Sequence, residues 1–403
     1  MDNYLQTILQ QRQQAALYRT RQIHESPQTP TLLINGQSFL AFCSNDYLGL
    51  ASHPRLKTAL QQGTEKYAVG SGASHLITGH TVAHHALEKE LATYTGRESA
   101  LLFSTGYMAN IGVVTTLVGR HDAIFLDKLN HASLVDAALL SRAKIYRYPH
   151  NDMSALESLL AKSQAQHKLI ITDGVFSMDG DHANLPTIIQ LAKTHNAWVM
   201  VDDAHGLGVL GKTGRGTLEE YGLSVSEVPV LMGTLGKAFG VFGAFVAGSH
   251  LLIETLIQSA RSYIYTTALP PALAEATRES LRIVQEEDWR RQHLQELIAY
   301  FRATAIKRHI PITDSLTPIQ PIILGDSETA LKVSAALYKR GIIVTAIRPP
   351  TVPQGTARLR ITLSALHEKH QIDQLIEALE FQKEKGGRGQ GTGEKQRRVR
   401  PTH

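Results

Sequence analysis

The residue types best suited to covalent chemistry in this chain are a lysine set among glycines and an acid–histidine pair upstream of it. Lys237 lies within the segment 233–240, and Asp202 and His205 are three positions apart. An aldehyde cofactor needs an amine for a Schiff base, a carboxylate to keep its ring nitrogen protonated, and small residues with N–H donors for its phosphate. Lys237, Asp202 and Thr234 provide one of each, so we predict pyridoxal 5′-phosphate (PLP) as the cofactor. Lys237 alone would more commonly be a solvated lysine in a glycine-rich turn, and the upstream pair favours the cofactor.

The elements that must position these residues follow from the hydrophobic pattern. Short β-rich runs cover residues 31–34, 38–42, 100–103, 123–126, 144–148, 169–172, 198–201, 228–232 and 244–247. Helical periodicity covers residues 82–94, 110–118, 154–161 and 186–195. Alternation of this kind predicts an α/β fold with a mostly parallel central sheet flanked by helices.

Ligands of such folds collect where the strands end. The polar residues that directly follow a predicted strand are Gly106, Tyr107, Ser177, Asp202, His205, Thr234 and Lys237. Because the carboxyl ends of parallel strands meet at one edge of the sheet, we expect these residues to lie at that edge.

The chain is long enough for more than one domain. We expect an N-terminal helix and short strands over 1–45, with the helix covering about 4–24, and a large PLP-binding α/β domain over 46–285. A smaller C-terminal α+β domain is predicted over 286–385, entered through a long helical stretch at about 272–307. Residues 386–403 are rich in glycine and basic residues and predict a disordered tail.

Charge and cysteine content exclude several classes of protein. The net charge is +5, but the part from Lys383 onward holds seven basic and two acidic residues, so the rest of the chain is neutral and gives no reason to expect a nucleic-acid partner. Cys43 is the single cysteine, which excludes intrachain disulfides. We see no secretory signal and no apolar run that could span a bilayer, and we expect a cytoplasmic enzyme.

Two patterns suggest ligands other than PLP. Residues 206–213 satisfy the phosphate-loop pattern of nucleotide-binding proteins, but the glycines at 214 and 216 disfavour the helix that such a loop requires. His84 and His85 lie on a predicted helix without a recognised metal-ligand spacing. We therefore expect neither nucleotide hydrolysis nor a metal.

Two further side chains suit contacts with a cofactor or a substrate. His131 follows a strand and precedes a helix, so its imidazole could stack on a pyridine ring; otherwise it is a helix-entry or surface residue. Arg348 begins a proline-rich loop over 348–353, and its guanidinium could bind a carboxylate through two hydrogen bonds; otherwise it is a surface arginine.

Six motifs together resemble the α-oxoamine synthase family of fold type I PLP enzymes. They are SNDYLG (44–49), GYMAN (106–110), GVFSMDGD (174–181), DDAHG (202–206), GTLGKAFG (233–240) and TAIRPPTVP (345–353). The similarity runs from about residue 5 to 382, and the combination is specific to that family.

The resemblance implies roles at the matching positions. Lys237 would carry the Schiff base, Asp202 would pair with the ring nitrogen, His205 would bind the ring oxygen and His131 would stack on the ring. The other implied cofactor contacts are Gly106, Tyr107, Ser177, Thr234 and, reaching the phosphate of a second subunit in a homodimer, Thr266 and Thr267. The implied substrate contacts are Arg19, His131, Arg348 and Thr351.

The implied reaction is the decarboxylative condensation of an amino acid with an acyl thioester. Segment 345–353 favours L-alanine and a pimeloyl thioester, carried by coenzyme A or by acyl carrier protein, as in biotin biosynthesis. The alternatives are a glycine C-acetyltransferase or another α-oxoamine synthase, and a PLP-binding protein without synthase turnover.

Overall fold

The computed structural model describes residues 1–387, with side chains through residue 380. The strands are β1 (Thr31–Ile34), β2 (Gln37–Ala41), β3 (Ser99–Phe103), β4 (Ala123–Asp127), β5 (Lys144–Tyr148), β6 (Lys168–Asp173), β7 (Trp198–Asp202), β8 (Val230–Thr234), β9 (Ala244–Gly248), β10 (Ile319–Gly325), β11 (Ile342–Ile343), β12 (Thr345–Ile347) and β13 (Ala357–Thr362). The helices are α1 (Asp2–Gln14), α2 (Pro54–Tyr67), α3 (Val82–Thr95), α4 (Gly106–Leu117), α5 (Ala132–Ser141), α6 (Met153–Lys162), α7 (Leu185–Thr194), α8 (Thr217–Glu220), α9 (His250–Ser259), α10 (Arg261–Ile264), α11 (Pro271–Glu286), α12 (Trp289–Lys307), α13 (Ser327–Tyr338) and α14 (Lys369–Gly387), with a π-helical turn at His75–Gly79. The tail predicted over 386–403 lies outside the described residues except for its first two positions. No described helix is both long and apolar enough to cross a bilayer.

The central sheet has seven strands in the order β3, β9, β8, β7, β6, β4, β5. All its strands share one direction except β9, which is antiparallel to both β8 and β3. Parallel neighbours require a crossover of about a dozen residues or more, whereas only residues 235–243 join β8 to β9. The short connection that reverses the chain also carries Lys237. The prediction of a mostly parallel sheet flanked by helices is confirmed.

Strand β4 shows how the sheet is buried on both faces. All five of its residues are buried, and successive side chains point to opposite faces. Ile124 belongs to an apolar cluster with Val113 of α4, while Phe125 belongs to a second cluster with Ile188 of α7. Because helices cover both faces, the strand ends are where polar side chains gather.

Two helical predictions differ from the structure. Helix α1 ends at Gln14 rather than near residue 24, and Ala16 has a positive φ of 55°. The stretch predicted over 272–307 is two helices, α11 and α12. Arg291 donates to the carbonyl of Val284 at 2.5 Å, which satisfies one of the carbonyls left without a partner at the end of α11. Side-chain capping of this kind has no signature in helical periodicity.

Two small sheets bring the chain ends together. Strand β2 pairs with β1 and with β11, and β13 lies between β10 and β12. Residues 342–347 divide between the two sheets: β11 pairs with β2 and β12 with β13. The N-terminal strands are thereby hydrogen-bonded to the C-terminal region. The domain boundaries stay a prediction.

A histidine held between two acids links the loops beside the predicted site. Nδ1 of His150 lies 3.0 Å from Asp127, and Nε2 lies 2.7 Å from Asp181. Burial lowers the pKa of His150, but hydrogen bonds to Asp127 and Asp181 outweigh it and raise the pKa to about 10. The protonated ring therefore joins the end of β4 to the loop after β6.

We predict that His150→Gln lowers the free energy of unfolding by roughly 3 kcal/mol, because it leaves the buried Asp127 carboxylate without its cation. The folded pKa is raised, so this stabilisation is complete below the unfolded value of about 6.5 and disappears as the pH rises through about 10. Urea denaturation from pH 6 to 10 should show the difference from the unsubstituted protein shrinking. His167→Gln, at a more exposed pair with Asp122, is the control and should cost less than about 1 kcal/mol. A difference independent of pH would contradict the assignment.

Candidate active site

A chain of directed hydrogen bonds begins at the amine of Lys237. Its Nζ lies 2.8 Å from Nε2 of His205, whose Nδ1 lies 2.6 Å from the hydroxyl of Tyr47. That hydroxyl donates to Oδ1 of Asn45 at 3.3 Å. An imidazole that donates from Nδ1 to the Tyr47 oxygen leaves Nε2 to accept from the amine. The contacts hold the position of the amine in either tautomer.

The surroundings of Lys237 favour a neutral amine. Burial lowers the pKa of Lys237 to about 8; Asp202 opposes the shift and Arg360 adds to it. Burial and the nearby Lys237 and Arg360 hold the pKa of His205 well below its usual range. A lysine with a lowered pKa is a nucleophile and a base near neutral pH.

Asp202 is held by neighbours at the end of β7. Its Oδ2 accepts from the side chain of Asn110 at 2.8 Å, and its Oδ1 accepts from the backbone of Ala204 at 3.1 Å. The adjacent Asp203 accepts instead from the backbone of Thr217 at 2.8 Å, and burial raises its pKa to about 8. The two acids are therefore separated in function: Asp202 belongs to the surroundings of Lys237, and Asp203 binds the backbone at the start of α8.

His131 occupies the first position before helix α5. Its backbone N–H donates to Asp173 at 2.9 Å, and Nδ1 accepts from the backbone of Ser133 at 3.3 Å. Burial is the main reason that its pKa is lowered. With these two contacts, the imidazole lies at the wall of a cavity that Lys237 also lines.

A cavity of about 800 Å³ opens at this edge of the sheet. Its lining includes Lys237, His205, His131, Ser177 and Arg360. The donor set fits PLP: an amine of lowered pKa, two imidazoles and the neighbouring carboxylate of Asp202. The volume is in the range of cavities that hold a cofactor and a small substrate.

Three further predicted cofactor contacts, Gly106, Tyr107 and Thr234, lie at or just after the ends of strands β3 and β8. Gly106 and Tyr107 open helix α4, whose first N–H groups can bind an anion. A Cβ at Gly106 would lie 3.4 Å from the Met232 side chain on β8. Thr234 ends β8 and accepts from the backbone of Gly236 at 3.3 Å, which shapes the start of the Lys237 segment.

The predicted substrate contacts Arg19, Arg348 and Thr351 form a separate group. All three line a neighbouring cavity of about 420 Å³. Of the three, only Thr351 also lines the larger cavity. Arg348 donates to the carbonyls of Ala16 and Tyr18, and Arg19 donates to the hydroxyl of Thr351 at 3.2 Å. The guanidinium of Arg348 thus binds the N-terminal segment, and the structure does not bring it to Lys237.

Thr266 and Thr267 lie in the loop between α10 and α11 and line neither of these cavities. The contact predicted for them is one to a second subunit.

Arg360 is the side chain that sequence analysis missed. It is 6% exposed, and Nε donates to the carbonyl of Ser177 at 2.6 Å while both terminal nitrogens donate to Asn45 at 3.2 Å. Arg358 precedes it on the same face of β13 and pairs with Asp179 at 2.5 Å. Two buried arginines two residues apart in a strand were the available signal, since strand alternation places them on one face.

The phosphate-loop pattern at 206–213 is occupied by the protein itself. No helix begins at Lys212–Thr213, and α8 starts only at Thr217. The carboxylate of Glu219 accepts from the backbone N–H groups of Thr213 and Arg215, both at 3.0 Å. Within the loop, the backbone N–H of Gly211 donates to Glu220 at 3.0 Å, and other N–H groups donate to backbone carbonyls nearby. The N–H groups that would hold a phosphate are therefore already bound by the protein.

Comparison with known proteins agrees with this geometry. The family described as aminotransferase class I and II matches residues 37–379. A curated 8-amino-7-oxononanoate synthase from Cellvibrio japonicus is 58% identical over 379 residues, 94% of this chain and 95% of that protein.

Two solved structures show the same fold. Serine palmitoyltransferase from S. paucimobilis, with a bound PLP–myriocin aldimine, has a TM-score of 0.90 and 29% identity over 95% of this chain and 97% of that one. The 8-amino-7-oxononanoate synthase from Francisella tularensis has a TM-score of 0.76 and 34% identity over 87% and 99%. The chain therefore belongs to the 8-amino-7-oxononanoate synthase family, PLP-dependent acyltransferases of fold type I in biotin biosynthesis.

Proposed function

We propose that this chain condenses L-alanine with a pimeloyl thioester, releasing CO₂ and the free thiol and forming 8-amino-7-oxononanoate. The observation that carries the proposal is the Lys237 amine, which has a lowered pKa and lies 2.8 Å from a neutral imidazole in a cavity that also holds a buried guanidinium. The names of the relatives support the same reaction.

Lys237 has two tasks in this proposal. Its amine would hold the cofactor and, with alanine bound, would act as the base that takes the proton from the alanine α-carbon. Bound PLP supplies an electron sink for the charge left on that carbon. A pKa of about 8 suits both tasks, since the amine is a good base yet is not fully protonated near neutral pH.

The other cofactor contacts are proposed from the resemblance to the family. Asp202 is assigned to the ring nitrogen, and Asn110 and Ala204 hold its carboxylate in place. His205 is assigned to the ring oxygen and His131 to the ring face. Gly106, Tyr107, Ser177 and Thr234 complete the set in the same chain.

A carboxylate on the substrate needs a cation inside the cavity. Arg360 provides one, because it lines the cavity that Lys237 lines, whereas Arg348 lines only the neighbouring cavity. We therefore assign the alanine carboxylate to Arg360. Arg19, Thr351 and Arg348 are left to shape the adjoining cavity, which suits the acyl chain.

A second subunit would complete the site. Thr266 and Thr267 follow Tyr265, which is 71% exposed. A hydrogen bond from the backbone of Ala268 to the carbonyl of Ala73 joins their loop to the loop that contains Val69, which is 80% exposed. Exposed apolar side chains around polar groups are typical of subunit interfaces. A homodimer that covers them would place both threonines at the partner's phosphate.

The reaction is tested by thiol release from PLP-loaded protein given alanine or glycine, each with pimeloyl and acetyl thioesters. Alanine with the pimeloyl thioester should give the fastest release. Preference for glycine and acetyl would instead identify a glycine C-acetyltransferase, and bound PLP without thiol release would identify a binding protein. Coenzyme A and acyl carrier protein thioesters are compared in parallel to choose the acyl donor.

Borohydride reduction of the PLP-loaded protein should leave the adduct on Lys237, and Lys237→Ala should lose the adduct and at least about 10³-fold in turnover. Adduct formation should accelerate as the pH rises through about 8, because the neutral amine is the nucleophile. Lys212→Ala, an exposed lysine in another glycine-rich loop, is the matched control and should behave like the unsubstituted protein. An adduct at any other lysine would overturn the assignment.

Arg360→Lys should raise the KM for alanine by at least about tenfold, because lysine cannot reproduce the paired hydrogen bonds of the guanidinium. Arg348→Lys should leave that KM within about twofold. PLP absorbance and thermal unfolding of both variants check that the site is formed. A larger rise in the KM for alanine in Arg348→Lys than in Arg360→Lys would instead assign the alanine carboxylate to Arg348.

A further inference from the structure

Three metal-binding side chains meet at the start of helix α3, outside the cavity that holds Lys237. His80 comes just before the helix, and His85 and Glu88 are three residues apart on it, so they share a helix face. One ligand atom from each lies within 4.8 Å of the other two. Nε2 of His80 is 3.8 Å from Oε2 of Glu88.

The second atoms of two of these groups are already held. Nδ1 of His80 lies 3.0 Å from Nδ1 of His75, whose ring stacks on Tyr263 at a centroid distance of 5.0 Å. Oε1 of Glu88 accepts from the backbone of Leu102 at 3.0 Å. When Nδ1–H of His80 donates to His75, Nε2 keeps its lone pair for a ligand. Metal-binding histidines are commonly oriented by such an outer hydrogen bond.

His84 is close to the same group but has no free nitrogen. Its Nδ1 accepts from the backbone of Thr81 at 3.0 Å, and its Nε2 donates to the carbonyl of Leu269 at 2.5 Å. This histidine therefore belongs to the packing of α3 against Leu269. The donor set that remains is two imidazoles and one carboxylate.

We propose that His80, His85 and Glu88 bind one divalent transition-metal ion, with Zn²⁺ the best match. Two histidines and a glutamate are a known zinc ligand set, with water at the fourth position. Sequence analysis predicted no metal because it considered the helix alone, which offers His84 and His85 without a recognised spacing. The fold brings His80 from outside the helix to the set of possible ligands, and it excludes His84 because both of its nitrogens are hydrogen-bonded.

The ion would act on the structure rather than on the reaction. It would tie the loop before α3 to the helix, and that loop is joined to Leu269 by the hydroxyl of Ser71 at 2.7 Å. Thr266 and Thr267 lie three and two residues before Leu269, respectively. Zn²⁺ should therefore raise the unfolding temperature of the protein.

The experiment is a calorimetric titration of metal-free, PLP-loaded protein with Zn²⁺. We expect one ion per chain, and we expect His85→Gln and Glu88→Gln each to weaken binding at least about tenfold and to abolish the rise in unfolding temperature. His370→Gln is the matched control, since His370 also pairs with a glutamate, Glu368, at 3.1 Å on an exposed surface. Co²⁺ in place of Zn²⁺ should show the visible spectrum of a four-coordinate ion.

Three results would overturn the proposal: unchanged affinity in both ligand variants, equal weakening in His370→Gln, or a Co²⁺ spectrum identical to that of the aqueous ion. His85 is exposed, so its variant should fold even where Glu88→Gln does not. Because Val82, three residues earlier, is also exposed, gel filtration of every variant separates loss of the ion from a change in oligomeric state. PLP absorbance confirms that the catalytic cavity is intact.

Discussion

The burial of one amine is the constraint on which this structure depends. An ammonium removed from water loses solvation, and Lys237 shows the result as a pKa lowered to about 8. Asp202 limits the drop and Arg360 deepens it, so the final value is a balance among three groups from distant parts of the chain. The hydrogen bonds through His205, Tyr47 and Asn45 then fix where the amine points. Each of these side chains is set at the end of a strand or in the loop beside it.

The path of the chain around Lys237 follows from a length limit. Residues 235–243 are too few to cross over the sheet, so β9 must return antiparallel to β8. A reversal this tight keeps Lys237 at the sheet edge, and Gly240, with a φ of 66° and the backbone of Ala51 directly against it, is a position where a Cβ would not fit. The glycines that flank the lysine therefore serve the turn as well as the cofactor.

Local patterns predicted the sheet, its helices and the residues that directly follow strands, because burial and strand ends leave signals within a few residues. Lys237, Asp202, His205, His131 and Ser177 were selected in this way, and all of them except Asp202 line the large cavity. Arg360 and the anchors Asn45 and Tyr47 were not assigned, since their partners are far away in sequence. The spacing of Arg358 and Arg360 indicates a shared strand face but does not identify the residues that they contact. Arg348 was assigned to the substrate from its proline-rich loop, but a rigid loop does not reveal the direction it faces, and the N-terminal segment takes its guanidinium. The break between α11 and α12 also depends on a tertiary contact.

The carboxylate of Glu219 in the glycine-rich loop has a consequence for how this protein could change. The loop keeps the spacing of a nucleotide-binding sequence, but backbone N–H groups in and beside it already donate to the carboxylate of Glu219. A phosphate would have to displace this intramolecular acceptor, whose effective concentration is high. A mutation that only strengthened the loop's resemblance to a nucleotide site would gain nothing while Glu219 stays in place. The chain thus carries a built-in barrier against acquiring a second phosphate ligand a few residues from His205.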